Sequence, residues 1–144
     1  MTGAALALQK AILAWLQAAP LLAEKLGRQG IYDHVPPAAQ FPYISFGHSQ
    51  VYAWDTDSGK GEEHSIVLHI WARSNGRKQV LQLMVMVEEL MEALGLSGSG
   101  SSQRPDIGGY RLVNLTLQSS QTRNEELRDG YSGQLRYRAV TEKI

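Results

Sequence analysis

The residues best equipped for chemistry sit in one run, WDTDSGKGEEH, from Trp54 to His64, which leads straight into SIVLHIW. Three chemistries would use such residues. A phosphate loop needs G-x-x-x-x-G-K-[ST] after a strand and opening a helix, so that backbone N–H groups converge on the anion. Here Lys60 is followed by Gly61, the required upstream glycine is missing, and the sequence continues as a strand. A hard-cation site would draw on Asp55, Asp57, Glu62, Glu63 and His64, but the fixed oxygen spacing of a calcium loop, with its closing bidentate glutamate, is absent. His64 and His69 are five apart on an expected strand, so they project to opposite faces and do not share one ion. Acid–base hydrolysis needs two carboxylates at a defined separation. Glu62 and Glu63 are adjacent and point apart in a strand, while Glu125 and Glu126 fall in an expected loop. Ser45, His48 and Asp33 form a triad only on paper, with no Gly-x-Ser-x-Gly elbow behind it. The expectation is a protein without catalysis and without a cofactor. The alternatives that stay open are a small metal-dependent hydrolase using Asp55, Asp57 and His64, and a generic oligomeric adaptor.

Contact chemistry is what these residues do offer. The run from Trp54 to Glu63 reads as a long polar hairpin loop that mixes both charges around one large aromatic. A second charged connection, QTRNEELRDG, carries Arg123, Glu125, Glu126, Arg128 and Asp129. Charged hairpin tips are most simply solvated. An exposed tryptophan amid balanced charge, however, has the composition of an interface, where aromatic and arginine anchors dominate the energy. Trp54 folding back onto the core is the competing reading.

These loops must be held by regular elements, and the pattern supplies them. Leu6, Leu8, Ile12, Leu13, Trp15 and Leu16 recur at three- and four-residue steps, predicting a helix over about 3–19, and Pro20 opens a second short helix that Gly27 closes. IYDHVPP is a short extended piece whose double proline excludes a central strand. YISFGHSQVY alternates, with Tyr43, Ser45 and Gly47 on one face and Ile44, Phe46 and His48 on the other. HSIVLHIWA is apolar on both faces, as a central strand would be. SNGRKQ is a turn and helix start; Val80, Leu83, Met84, Val87, Leu90, Met91 and Leu94 then trace a long helix. The Gly/Ser-rich chain over about 95–109 reads as a flexible loop, and two more strands, YRLVNLTLQSS and YSGQLRYRAV, complete the chain. The expected architecture is α+β in one domain, 1–144. N-terminal helices (about 3–26) and one long central helix lie on one face of a mostly antiparallel sheet of four to five strands, with the sheet and helix core over about 30–141.

The 144 residues carry 14 basic and 14 acidic side chains and no cysteine. Balanced charge argues against a free duplex-DNA binder and does little to keep copies apart, which suits a subunit that assembles. The absence of thiols fits a cytoplasmic origin, and no apolar run is long enough to cross a membrane.

Taken in order, the N-terminal helix pair, IYDHVPP, FPYISFG, WDTDSGKGEEHSIVLHIWAR, EELMEAL, YRLVNLTLQ and RDGYSGQLRYRAVTE resemble one family. It is that of the small tail completion, or tail terminator, proteins of long-tailed bacteriophages, prophages and gene transfer agents. The likeness runs over about residues 5 to 142, and LSGSGSSQRPDIGG is longer than the family's usual connection. The resemblance implies a structural virion protein. Copies would form a ring, commonly a hexamer, on the last ring of tail tube protein, ending growth and presenting the head-to-tail joining surface to the connector. It also implies a place at the head-facing end of the virion tail, after assembly in the host cytoplasm. The residues expected to contact a neighbour or the tube are Trp54, Asp55, Asp57, Lys60, Glu62, Glu63, Arg123, Glu125, Arg128 and Asp129. For Lys60, Arg123 and Arg128 a second placement is open, facing DNA in the ring lumen.

Overall fold

A computed structural model describes residues 3–26, 30–55, 57, 59–73, 77–97, 105–125 and 130–144. The chain starts with α1 (Gly3–Gln17) and α2 (Pro20–Leu26), then passes through β1 (Ile31–Tyr32), β2 (Tyr43–Phe46), β3 (Gln50–Ala53) and β4 (Gly61–Arg73). The long helix α3 (Arg77–Gly95) follows, and β5 (Tyr110–Glu125) and β6 (Gly130–Lys143) close the fold. The six strands form one mixed sheet in the order β1-β2-β4-β6-β5, with β3 also on β4. All pairings are antiparallel except β1 with β2. The α+β expectation holds, with more strands than the four to five expected.

The extra strands have a physical cause. YISFGHSQVY is not one strand but two, because the chain leaves the ladder at 47–49. β2 pairs Phe46 with Leu68, and β3 resumes with Gln50 opposite Ser65, so both lie along the same edge of β4. The proline-flanked IY piece adds only two residues, at the sheet's edge, where a missing donor costs least.

Period-two alternation sorts β4 cleanly. His64, Ile66, Leu68, Ile70 and Ala72 are buried on the helix side, while on the other Ser65, His69 and Trp71 are half-buried around a buried Val67. Leu68 opposes Leu135 of β6, and Ile70 opposes Ile44 of β2, so the centre of the core is a cross-strand aliphatic layer. α3 closes it with Val80, Leu83, Met84, Val87, Met91 and Leu94, all buried at three- and four-residue steps. Met84 and Met91 are therefore core residues. α1 contributes Ala4, Leu8, Ile12 and Leu16 at strict four-residue spacing, while Leu6 stays exposed. The Trp15 indole N–H donates to the Leu90 carbonyl at 2.8 Å and ties α1 to α3. No single helix is long and apolar enough to cross a membrane among the described residues.

The face opposite the helices is lined mainly by polar groups, with an aromatic row at one end. Tyr43 stacks on Phe41 and on Trp71, with ring centroids 5.6 and 6.0 Å away, and meets Tyr32 edge-on at 5.8 Å.

Candidate functional site

The polar loop is shorter than its sequence suggests. Antiparallel pairing of β3 with β4 continues to Ala53 opposite Glu62, and the Trp54 N–H donates to the Gly61 carbonyl at 2.9 Å. Glu62 and Glu63 are thus strand residues, held by ladders to both β3 and β6, and the loop proper is 54–60. Trp54 takes an intermediate position. It is half-buried, folded over Gly61, where an added Cβ would come within 3.0 Å of the indole Cε3. Asp55, Asp57 and Lys60 remain exposed.

The two glutamates point apart, as strand parity demands. Glu63 faces the open side and accepts from Arg138 at 2.9 Å; both side chains are about a third exposed (34 % each), so the pair contributes little stability. Glu62 lies on the helix side, 4.0 Å from the His64 ring. His64 itself is buried, and its Nε2 lies 2.9 Å from the Thr141 hydroxyl. It lines a small crevice under α1 with Leu8 and Ile12, whereas Asp55 lines a different surface depression with Lys60. The three residues of the hydrolase alternative therefore do not converge. Among the described residues no three of His, Cys, Asp and Glu are placed to hold an ion. Nor does a hydrogen bond join Ser45, His48 and Asp33: the Ser45 hydroxyl accepts from the Trp71 indole at 3.3 Å, and Asp33 and His48 are exposed.

Burial lowers the pKa of His64 below 6.5, with Glu62 opposing in part, and lowers that of His69 against an opposing Glu125. A histidine whose folded pKa is depressed is neutral in the native state while the unfolded chain takes up the proton. Stability is then full above the unfolded pKa and is lost as pH falls below it. Urea unfolding should show stability declining below about pH 6.5, with a slope of up to about 1.4 kcal/mol per pH unit from His64. His64→Gln should flatten that decline, leaving the part due to His69. An unchanged profile would show that His64 is not held neutral.

The second charged segment also differs from expectation. β5 extends through Arg123, opposite Ser132, to Glu125, opposite Gly130, because its polar residues keep the full ladder to β6. Glu125 accepts from the Ser132 hydroxyl at 2.9 Å, and Arg123 is exposed. Glu126, Arg128 and Asp129 lie outside the described residues, as does most of the Gly/Ser stretch (98–104).

The sheet separates the two candidate segments. Gly61 pairs with Glu142 at one end of the β4–β6 ladder, and Arg73 pairs with Gly130 at the other. The ladder spans the thirteen residues of β4, or roughly 40 Å at about 3.3 Å per residue. Trp54, Asp55, Asp57 and Lys60 thus mark one end of the molecule, and Arg123 and Glu125 the opposite end.

One surface escaped the sequence reading. A groove of about 540 Å³ runs between α3 and β5, lined by Glu88, Glu89 and Glu92, by the exposed Val85 and Leu96, and by Tyr137. Its signal was EELMEAL, whose acids read equally well as the solvated face of a helix.

With this geometry in view, the comparisons with known proteins agree with each other. The family model described as tail completion protein gp17 matches residues 10–142. A chain from a solved structure, the virion of a native gene transfer agent particle, superposes with a TM-score of 0.78 at 26% identity, covering 99% of both chains. No curated protein sequence matches. The match spans nearly the whole chain, and the protein belongs to the tail completion protein gp17 family, a structural family of bacteriophage tails.

Proposed function

We propose that this protein closes into a ring, commonly of six copies, on the last ring of a tail tube. There it stops tube growth and offers the surface on which the head-side connector docks. The observation that carries this reading is the family match along residues 10–142, together with the 0.78 likeness to a chain of a gene transfer agent virion. A ring is a heterologous assembly, one face of a subunit against a different face of its neighbour, and growth stops because rotation closes the circle. Balanced charge suits such self-association.

The elongated sheet supports an allocation of its two ends. A cap between tube and connector needs two unlike contact surfaces on opposite sides. Here the Trp54–Lys60 end and the Arg123–Glu125 end lie roughly 40 Å apart by strand rise. Of the ten contact candidates, Glu62, Glu63 and Glu125 already hold internal partners. The side chains of Asp55, Asp57, Lys60 and Arg123 make no hydrogen bond or ion pair among the described residues, and they are the better candidates for partner contacts. Lys60 and Arg123 are also the described cations among those proposed to meet DNA in the lumen.

Negative-stain microscopy of the protein with tail tubes tests this. Caps on one end of each tube, and tubes that stop lengthening, are the expected result; uncapped tubes that keep growing overturn it. Trp54→Ala combined with Lys60→Glu should leave the fold intact while impairing ring assembly or tail joining. Normal infectious tails from that variant would remove the Trp54 loop from the contact surface.

A further inference from the structure

The groove between α3 and β5 combines three features. First, Glu88, Glu89 and Glu92 line it, and no cation among the described residues pairs with any of them. Second, the Tyr137 hydroxyl is buried beneath it with no hydrogen-bond partner among the described residues. A buried polar atom without a partner is costly to the fold, so it is rarely left that way without a use. Burial, with Glu88 and Glu92 adding to it, pushes this hydroxyl above the usual tyrosine range, which keeps it protonated.

Third, β5 is the terminal strand of the sheet. The turn at 105–107 covers its start, through Ile107 to Tyr110 and Leu112 to Pro105 hydrogen bonds of 2.8 Å. From Val113 onward its outer edge has no backbone partner among the described residues. An open edge beside an apolar, acidic groove is suited to strand addition, in which main-chain bonds give affinity and alternate side chains give specificity.

We propose that this edge takes an extended segment of a different protein that carries an arginine between apolar residues. The segment would add to β5 at Val113–Leu117. Its arginine would lay its stem along Leu115 and Leu117, place its guanidinium among Glu88 and Glu92, and donate to the Tyr137 oxygen. Arginine fits better than lysine because its planar fork serves several acceptors at once. Charge decides against a second copy of this chain as the occupant. The strands a second copy could offer are Gln50–Ala53, Ile31–Tyr32 and its own β5, and none holds a cation in the stretch that would lie along Val113–Leu117. Sheet-to-sheet joining of two copies would leave the three glutamates unmatched. The proposal does not depend on ring closure.

A blocked peptide that alternates threonine with valine, arginine and valine tests this against the intact protein, with amide chemical shifts as the readout. Shifts should concentrate on β5 over 113–117 and on the C-terminal half of α3. Glu88→Gln with Glu92→Gln should weaken binding about tenfold, in line with one charge-assisted contact of ~1.4 kcal/mol. Tyr137→Phe should leave stability equal or higher, since it deletes an unpaired hydroxyl, yet weaken the peptide several-fold; a purely structural tyrosine would not behave so. A peptide with glutamate in place of arginine should not bind. Shifts on other strands, or equal affinity for the glutamine variant, overturn the proposal. So does sedimentation in which the glutamine variant loses self-association rather than peptide binding, because the occupant is then a second copy.

Discussion

Leu135→Ala should destabilise the fold by about 2–5 kcal/mol, read as a lower urea midpoint with an unchanged slope. Leu135 is fully buried at the middle of β6, directly opposite the equally buried Leu68 of β4, beneath the aliphatic stripe of α3. Truncation removes transfer energy and leaves a cavity that the surrounding ladder resists filling, since β6 is pinned on both edges by β4 and β5. Leu68→Ala should cost a similar amount. The double variant should depart from the sum, because both side chains line the same cavity. Leu81→Ala, on the outer face of α3 at 47% exposure, should change stability by no more than about 0.5 kcal/mol. Equal effects at Leu135 and Leu81 would contradict this assignment of the core.

What the sequence revealed and what it hid follow the range of the forces involved. Periodicity is local, so the faces of β4, the buried stripe of α3 and the Leu8–Ile12–Leu16 stripe of α1 are all legible. Hydrogen-bonded pairing is not local. Glu62, Glu63, Arg123 and Glu125 look like loop residues by polarity, yet the ladders to β6 hold them in strands. The same limit hid the break between β2 and β3, which exists because both must follow one edge of β4. By composition the two charged segments read as one kind of contact surface, and the sheet places their described residues at opposite ends. His64 illustrates the reverse case: strand parity alone separated it from His69, and the structure buries it against Thr141 on the helix side. The α3–β5 groove was invisible because it joins an acidic helix face to a tyrosine distant in sequence.

Gly133→Val should cost the fold about 1–3 kcal/mol or more, and Met84→Ala should recover part of that loss. Gly133 faces the helix side opposite Ile70, where α3 lies close to β6. A Cβ there would meet Met84 at 2.5 Å from Sδ and 2.9 Å from Cγ, with a Val80 methyl at 3.2 Å. Glycine is needed for this close approach, not for an unusual backbone angle. Valine has two further methyls and a stiff χ1, so α3 must lift from the sheet. Met84→Ala alone creates a cavity and should also destabilise. In the double variant the valine fills that space, and the two costs should fall short of their sum by about 0.5–3 kcal/mol. Strict additivity would show that Met84 and Gly133 do not share the contact. Because α3 carries Glu88 and Glu92, Gly133→Val should also weaken the arginine peptide, and the double variant should bind it more nearly like the original chain. The packing of one methionine on one glycine thus sets the position of the acidic wall relative to the free strand.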